Sequence, residues 1–137
     1  MLVLAAALFV RDRVLPAWRA RQVVEVGERA PESLTLLTLA TGDTVRLGRL
    51  RPSLLLWFQS TCPACGRNLP AWRRLVAERP PEVRVAAVGL EAPVPALAYV
   101  REEIPEALAV RTGNRARATR IMGVEAVPTT QLVGTDG

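Results

Sequence analysis

A continuous apolar run that ends at two closely spaced cysteines is the feature that most constrains the fold of this chain. Residues 53–59 read Ser-Leu-Leu-Leu-Trp-Phe-Gln, and Cys62-Pro63-Ala64-Cys65 follow after two further residues. Such runs are typical of a central parallel strand that is buried on both faces. Pro63 suits the first turn of a helix, because the amides there need no partner within the helix. The pattern therefore predicts a strand-to-helix corner in an α/β fold, with a helix over residues 63–77.

The spacing of Cys62 and Cys65 indicates thiol–disulfide exchange. The unpaired amides and the dipole at a helix N-terminus favour negative charge, so they lower the pKa of a cysteine that lies there. Cys65 lies about one turn further along, where its thiol can attack a mixed disulfide formed on Cys62. Arg67 would add positive potential at this corner, although a solvated arginine on the helix face is an equally simple interpretation.

Composition excludes several competing chemistries. The 137 residues contain 18 basic side chains, all of them arginine, and no histidine. A Cys–His catalytic pair, a histidine metal ligand and a lysine Schiff base are therefore excluded. Three alternatives to a redox pair remain open for the two cysteines. They are half of a zinc site that a second chain completes, two buried thiols that do not react, and a purely structural disulfide.

The first 22 residues differ in composition from the rest. Residues 2–10 form an uninterrupted apolar run, shorter than the ~20 residues that span a bilayer, and they lack the features of a cleaved signal peptide. Residues 11–22 hold four arginines and one aspartate, so a charge of +3 out of the net +5 lies there. We expect residues 1–22 to be a membrane anchor with a basic stretch on anionic headgroups. An apolar helix that packs on the domain is the alternative.

Apolar patterning over residues 23–137 predicts the remaining elements of one α/β domain. A hairpin precedes the cysteines, and strands and helices alternate after them. The predicted strands cover residues 34–39, 44–47, 83–89, 107–110 and 129–133, and the predicted helices after the cysteines cover residues 95–103 and 114–122. Asp136-Gly137 is a hairpin-turn signal without a returning strand.

The order and spacing of these motifs resemble the thioredoxin superfamily, specifically its TlpA/ResA-like, redoxin-type branch. The resemblance covers residues 23 to 137. The matching segments are residues 26–31, 41–47, 55–58, 62–65, Pro70 and residues 123–130. The resemblance implies an α/β thioredoxin fold with an N-terminal β-hairpin extension. It also leads us to expect that the chain lacks the final strand and helix of that fold.

The resemblance implies a role for each residue of the site. Cys62 would be the attacking thiolate, Cys65 the resolving thiol, and Pro128 a cis-proline that faces them. Taken alone, Pro128 is equally compatible with a trans proline at the start of a strand. The backbone of Val127 would pair with an extended segment of the substrate. A redox-active Cys62–Cys65 disulfide would take the place of a bound cofactor or metal.

The resemblance also implies a reaction, partners and a location. The protein would exchange its dithiol with protein cysteines as a reductant, would receive electrons from an upstream membrane or thioredoxin-like donor, and would not bind nucleic acid. Bacterial members of this branch typically work outside the cytoplasm on an N-terminal anchor, so we expect a membrane-anchored protein on the periplasmic face. The arginines that follow the apolar run favour the opposite orientation.

Three positions depart from the pattern of the family. Thr61 stands where many members carry tryptophan, and Asn68 stands where many reductases of this branch carry a proton-handling glutamate. Leu56 stands where thioredoxins proper carry a buried aspartate. Thr61, Arg67 and Asn68 are candidate electrostatic or positioning residues beside the thiols. Glu91, after the second long strand, could substitute as the proton acceptor for the resolving thiol.

Three other functions compete with thiol–disulfide exchange. A peroxiredoxin-like peroxidase would need a proline and a threonine where Leu55 and Gln59 stand. A copper-delivering, metal-binding module of this fold would use C-x-x-x-C and a histidine, whereas this chain has C-x-x-C and none. A nucleic-acid module would use the arginines of residues 111–120, which a solvated helix face explains.

Overall fold

The computed structural model describes residues 27–137, which form six strands, three α-helices and one 3-10 turn. In chain order the elements are β1 (Thr35–Thr38), β2 (Thr44–Arg46), the 3-10 turn (Leu47–Leu50), β3 (Ser53–Phe58), α1 (Pro63–Glu78), β4 (Arg84–Gly89), α2 (Pro93–Glu103), β5 (Leu108–Thr112), α3 (Arg115–Ile121) and β6 (Thr129–Val133). The expected membrane anchor, residues 1–22, lies outside the described residues. Within residues 27–137 no helix has the length and apolar character to cross a bilayer.

The strands form one sheet in the order β2-β1-β5-β4-β3-β6. Strands β5, β4 and β3 run parallel, and β1 and β6 flank them in antiparallel orientation. Strands β1 and β2 form the predicted hairpin. Because parallel strands point the same way, the carboxyl ends of β3 and β4 meet at one edge of the sheet. The two cysteines follow β3 directly and therefore lie at that edge.

Strand β3 is buried on both faces, as its apolar run predicts, and all six of its residues are buried. Alternate residues of a strand point to opposite faces of the sheet. Leu55 and Trp57 pack into one core cluster, whereas Leu56 and Phe58 pack into the other beside Trp72 of α1. Full burial of one such side chain contributes about 1.5–3 kcal/mol. Packing from both sides thus fixes the position at which the chain leaves β3.

Helix α1 begins where the sequence predicts, with Cys62 at its N-cap and a proline in its first turn. Its buried residues are Cys65, Trp72 and Val76, which follow one face at helical spacing. The indole Nε1 of Trp72 donates a hydrogen bond of 2.8 Å to Oγ1 of Thr130 in β6. This bond ties the helix that carries both cysteines to the strand that follows the proline loop.

The structure confirms the predicted order of strands and helices, with small differences at their ends. Helix α2 begins at Pro93, two residues earlier than predicted, because proline is well accommodated in a first turn. The 3-10 turn Leu47–Leu50 has no counterpart in the predicted elements. Its first and last residues are buried and no side chain caps it, so tertiary packing rather than a local signal holds it.

Close packing at Gly89 in β4 leads to a stability prediction. A Cβ at this position would lie 2.8 Å from Cβ of Ala96 and 3.4 Å from the ring of Phe58. We expect Gly89→Ala to lower the free energy of unfolding by about 1–3 kcal/mol, since overpacking forces neighbouring atoms to shift. Urea denaturation followed by tryptophan fluorescence measures the change.

Gly66→Ala in α1 is the matched control. No atom outside its own helix turn lies within 4 Å of the added Cβ, and alanine favours a helix interior over glycine by about 1 kcal/mol. The change from glycine to alanine should therefore lower the free energy of unfolding at position 89 and raise it at position 66. Equal stabilities of the two variants would contradict this account of packing at Gly89.

Candidate active site

Cys62 and Cys65 occupy the corner between β3 and α1. The N–H of Cys62 donates to the carbonyl of Gln59 at 3.1 Å, and the N–H of Gly66 donates to the carbonyl of Cys62 at 3.2 Å. These two bonds close the turn and start the helix. Both cysteines are free thiols, Cys62 half-buried and Cys65 buried. The corner therefore presents one thiol to solvent and holds the other in the core.

The helix N-terminus activates Cys62. The pKa of the Cys62 thiol lies below its ordinary value, chiefly because of the backbone N–H and then the thiol of Cys65. Desolvation opposes this shift, whereas the N–H of Ala64 and the guanidinium of Arg67 lower the pKa further. No hydrogen bond of ordinary geometry joins the Cys62 side chain to an amide of α1, so the amides act through their dipoles. The sulfur that solvent reaches is thus the one that ionises more readily.

Burial has the opposite effect on Cys65. It raises the pKa of the Cys65 thiol to about 11, with the Gln59 backbone acting against it. The negative charges of Cys62 and Glu91 also raise the pKa of Cys65. The pKa values of these two thiols are therefore shifted in opposite directions, which favours the thiolate at Cys62 and the protonated thiol at Cys65.

The loop before β6 faces Cys62. Strand β6 pairs with β3 so that Thr129 lies opposite Trp57, and the residues just before Thr129 therefore reach the cysteine end of the sheet. The Val127–Pro128 peptide bond is cis. The thiol of Cys62 donates to the carbonyl oxygen of Val127 at a distance of 3.8 Å. The structure thus brings together the two segments that the sequence singled out, which are 65 residues apart.

The three candidate positioning residues have different surroundings. Arg67 is exposed on α1 and makes a small contribution to the lowered pKa of Cys62. Thr61 is exposed and Asn68 is half-buried. Neither of these two side chains forms a hydrogen bond with another residue of the described part of the chain. The positioning roles of Thr61 and Asn68 stay predictions.

Two polar residues near the thiols, Ser60 and Tyr99, belong to no sequence motif, and only the structure identifies them. Ser60 donates to both carboxylate oxygens of Glu91, through its N–H and its Oγ. Tyr99 of α2 stacks on Phe58 with ring centroids 4.9 Å apart. Burial raises the pKa of Tyr99 to about 12, so its phenol stays neutral. Pairing between β3 and β4, rather than any local signal, brings Ser60 and Glu91 together.

A polar groove adjoins the proline loop on one side. Its volume is about 250 Å³, and it is lined by Gln59, Leu90, Arg115, Thr119 and residues 124–127. The groove gives space for an extended segment beside the carbonyl that contacts Cys62. Within residues 27–137 no group of three or more cysteine and carboxylate side chains is placed to hold a metal ion.

Comparison with solved structures identifies the fold. A secreted disulfide oxidoreductase of Mycobacterium tuberculosis, homologous to E. coli DsbE, is 18% identical with a TM-score of 0.63, and the match covers 77% of this chain and 78% of that one. The thioredoxin domain of a thiol-disulfide oxidoreductase from Bacteroides vulgatus is 16% identical with a TM-score of 0.59, covering 79% and 84%. Apo Sco1 from Thermus thermophilus is 22% identical with a TM-score of 0.56, covering 76% and 77%. The chain therefore has a thioredoxin-like fold, which confirms the predicted fold class.

No protein-family model matches the chain, and no curated protein matches it. The likeness to solved structures at these identities establishes the fold. Function has to be argued from the site itself.

The opposite pKa shifts predict selective alkylation. In the reduced protein iodoacetamide should consume Cys62 first, since the thiolate is the reactive form. The alkylation rate at Cys62 should reach its pH midpoint below that of an ordinary cysteine, whereas the alkylation rate at Cys65 should keep rising towards pH 11. Peptide mass spectrometry of the reduced wild-type protein after brief alkylation at each pH measures the two profiles. Superimposable profiles would contradict the opposite shifts.

Proposed function

We propose that this protein is a thiol–disulfide oxidoreductase that exchanges a Cys62–Cys65 dithiol with cysteines of other proteins, working as a reductant. One observation carries the proposal, namely two thiols of opposite reactivity on the first turn of one helix. Cys62 has a lowered pKa and Cys65 is buried with a pKa of about 11. The two similar structures from M. tuberculosis and B. vulgatus, both described as oxidoreductases of this kind, support it.

The first half of the reaction uses Cys62. Its thiolate attacks one sulfur of a substrate disulfide, a bond forms between Cys62 Sγ and that sulfur, and the substrate disulfide breaks. The released substrate thiolate takes up a proton from water. The helix N-terminus promotes this step because it stabilises the attacking thiolate.

The second half uses Cys65. Its thiol releases a proton, and the resulting thiolate attacks Cys62 Sγ and breaks the mixed disulfide. The second substrate thiolate leaves and is protonated. The substrate has then gained two electrons and two protons, and the Cys62–Cys65 disulfide holds the oxidising equivalents. Because Cys65 is buried and protonated, it stays inactive until the mixed disulfide has formed.

Substrate binding would involve the loop at Val127 and Pro128. The Val127 carbonyl already contacts Cys62 Sγ, so a substrate strand beside this backbone would place its cysteine at the attacking sulfur. The groove lined in part by Val127 and Gln59 gives the flanking residues space. These features favour an extended or locally unfolded segment of a protein substrate.

The proposal extends to location and partners. The similar M. tuberculosis protein is secreted, and residues 1–22 combine an apolar run with a basic stretch. We propose that this segment holds the domain at the periplasmic face of the membrane, where an upstream membrane or thioredoxin-like donor reduces the disulfide again. Fractionation of cells that express the full chain tests this location.

Single cysteine variants test the function directly. Cys62→Ser should abolish reduction of insulin disulfides, because the attacking thiolate is lost. Cys65→Ser should keep the attack and accumulate mixed disulfides, visible as dithiothreitol-sensitive bands on non-reducing gels. Unchanged reduction of insulin by both variants would rule out the proposed function.

The alternative functions give different results in the same preparation. A peroxidase consumes hydrogen peroxide without any added disulfide substrate. A metal-binding module takes up copper or zinc in a titration, and blocking of the thiols abolishes the uptake. Either outcome, together with no insulin reduction, would replace the oxidoreductase assignment.

The reduction potential of the Cys62–Cys65 pair tests the direction of transfer. For a reductant we expect a value close to the approximately −270 mV of thioredoxin. Equilibration of the full chain with defined glutathione mixtures, read out by alkylation, measures it. A value near the approximately −120 mV of a strong periplasmic oxidant would reverse the direction while leaving the exchange chemistry in place.

A further inference from the structure

The register between β3 and β4 places Ser60 beside Glu91. Phe58 pairs with Gly89, and the N–H of Leu90 donates to the carbonyl of Phe58 at 3.0 Å. Ser60 and Glu91 each follow this paired position by two residues. They therefore leave the sheet side by side, in the two loops that lead into α1 and α2.

Glu91 holds the loop that precedes Cys62. One carboxylate oxygen accepts the N–H of Ser60 at 2.5 Å, and the other accepts its Oγ at 2.8 Å. In the next backbone hydrogen bond along this loop, the N–H of Cys62 donates to the carbonyl of Gln59. Bonds of this kind to an ionised acceptor are stronger than neutral ones. A single carboxylate thus anchors the turn from which the catalytic helix starts.

The charge of the same carboxylate also acts on the Cys65 thiol. Its negative charge disfavours ionisation of Cys65, in the same direction as burial and the charge of Cys62. On the side of α2, Tyr99 is half-buried and neutral, and Glu103 and Arg73 lie close enough to shift its pKa in opposite directions. The guanidinium of Arg67 acts on Cys62 instead. Among the charged groups around Cys65, Glu91 is the one carboxylate that also has a direct structural bond to the cysteine loop.

We propose that Glu91 is a positioning residue of the dithiol site, which fixes the loop before Cys62 through Ser60 and so controls the attack by Cys65 on the mixed disulfide. The inference rests on the proposed oxidoreductase function and deepens it. It makes the second half of the reaction, the attack by Cys65, the step that depends on Glu91. The first attack depends on the helix N-terminus and stays largely independent of this charge.

A two-step thiol assay separates the two halves of the reaction. When the reduced full chain is mixed with one equivalent of an aromatic disulfide, attack by Cys62 releases one coloured thiol and attack by Cys65 releases the second. Stopped-flow absorbance records both phases between pH 6 and 12, a range that includes the pKa of about 11 of the Cys65 thiol. Cys65→Ala identifies the second phase, because it retains only the first.

Glu91→Gln removes the charge and keeps the size of the side chain. We expect the second phase to have its pH midpoint at a lower value. The thiolate fraction at fixed pH 8 then rises, and the weaker nucleophile offsets part of the gain, so the rate of the second phase should rise about twofold. The first phase should change much less.

Ser60→Ala keeps the charge and removes one of the two anchoring bonds. Because a carboxylate held by one bond is less firmly placed, the pH midpoint of the second phase should fall as in Glu91→Gln, but by a smaller amount. Glu78→Gln is the matched charge control, because Glu78 ends α1 roughly 20 Å from the cysteines at 1.5 Å per residue. It should leave both phases unchanged. Urea denaturation of each variant shows which changes in rate accompany a loss of stability.

The outcomes separate the two proposals. Two phases in the wild-type protein, with an unchanged midpoint in a folded Glu91→Gln, overturn the role of Glu91 and leave the oxidoreductase function standing. Absence of the second phase in the wild-type protein overturns both. A lower midpoint in Glu91→Gln and Ser60→Ala, but not in Glu78→Gln, supports the role of Glu91.

Discussion

The parallel pairing of β3 with β4 is the constraint on which the site depends. Because Phe58 lies opposite Gly89, the two strands end level and the chain leaves both at the same edge of the sheet. One exit becomes the N-terminus of α1 with its two thiols, and the other carries Glu91. The proline loop reaches this edge because β6 runs antiparallel to β3 on its other side. Three segments that are far apart in the chain therefore meet at the corner that carries the two cysteines.

The difference between the two thiols follows from the turn of the helix that carries them. Cys62 is the N-cap residue, so it lies outside the helix, near unpaired amides and accessible to solvent. Cys65 is on the face of α1 that also buries Trp72 and Val76. The dipole lowers one pKa and desolvation raises the other. In a chain without histidine or lysine, this geometry gives the two thiols the different reactivities that the proposed exchange reaction needs.

Local sequence patterns predict those elements whose formation depends on residues close together in the sequence. The apolar run of β3, the C-x-x-C and Pro63 predict a buried strand, a corner and a helix, and the structure has all three. The contact between Ser60 and Glu91 depends instead on the register of two strands, which no short motif encodes. The 3-10 turn Leu47–Leu50 likewise depends on burial of its two leucines rather than on a capping signal. Sequence reasoning could name Glu91 as a candidate, but only the register supplies its partner.

The position of Glu91 outside the apolar core has a physical reason. Leu56 is fully buried in the core beneath α1, and a carboxylate there would lose its hydration without a paired donor, which is costly. Glu91 lies half-buried at the rim of the sheet, where Ser60 supplies two hydrogen bonds to its oxygens. Its charge still acts on Cys65, at a smaller desolvation cost than in the core. The negative charge that acts on Cys65 therefore lies at the rim of the sheet, and the core under the cysteines stays apolar.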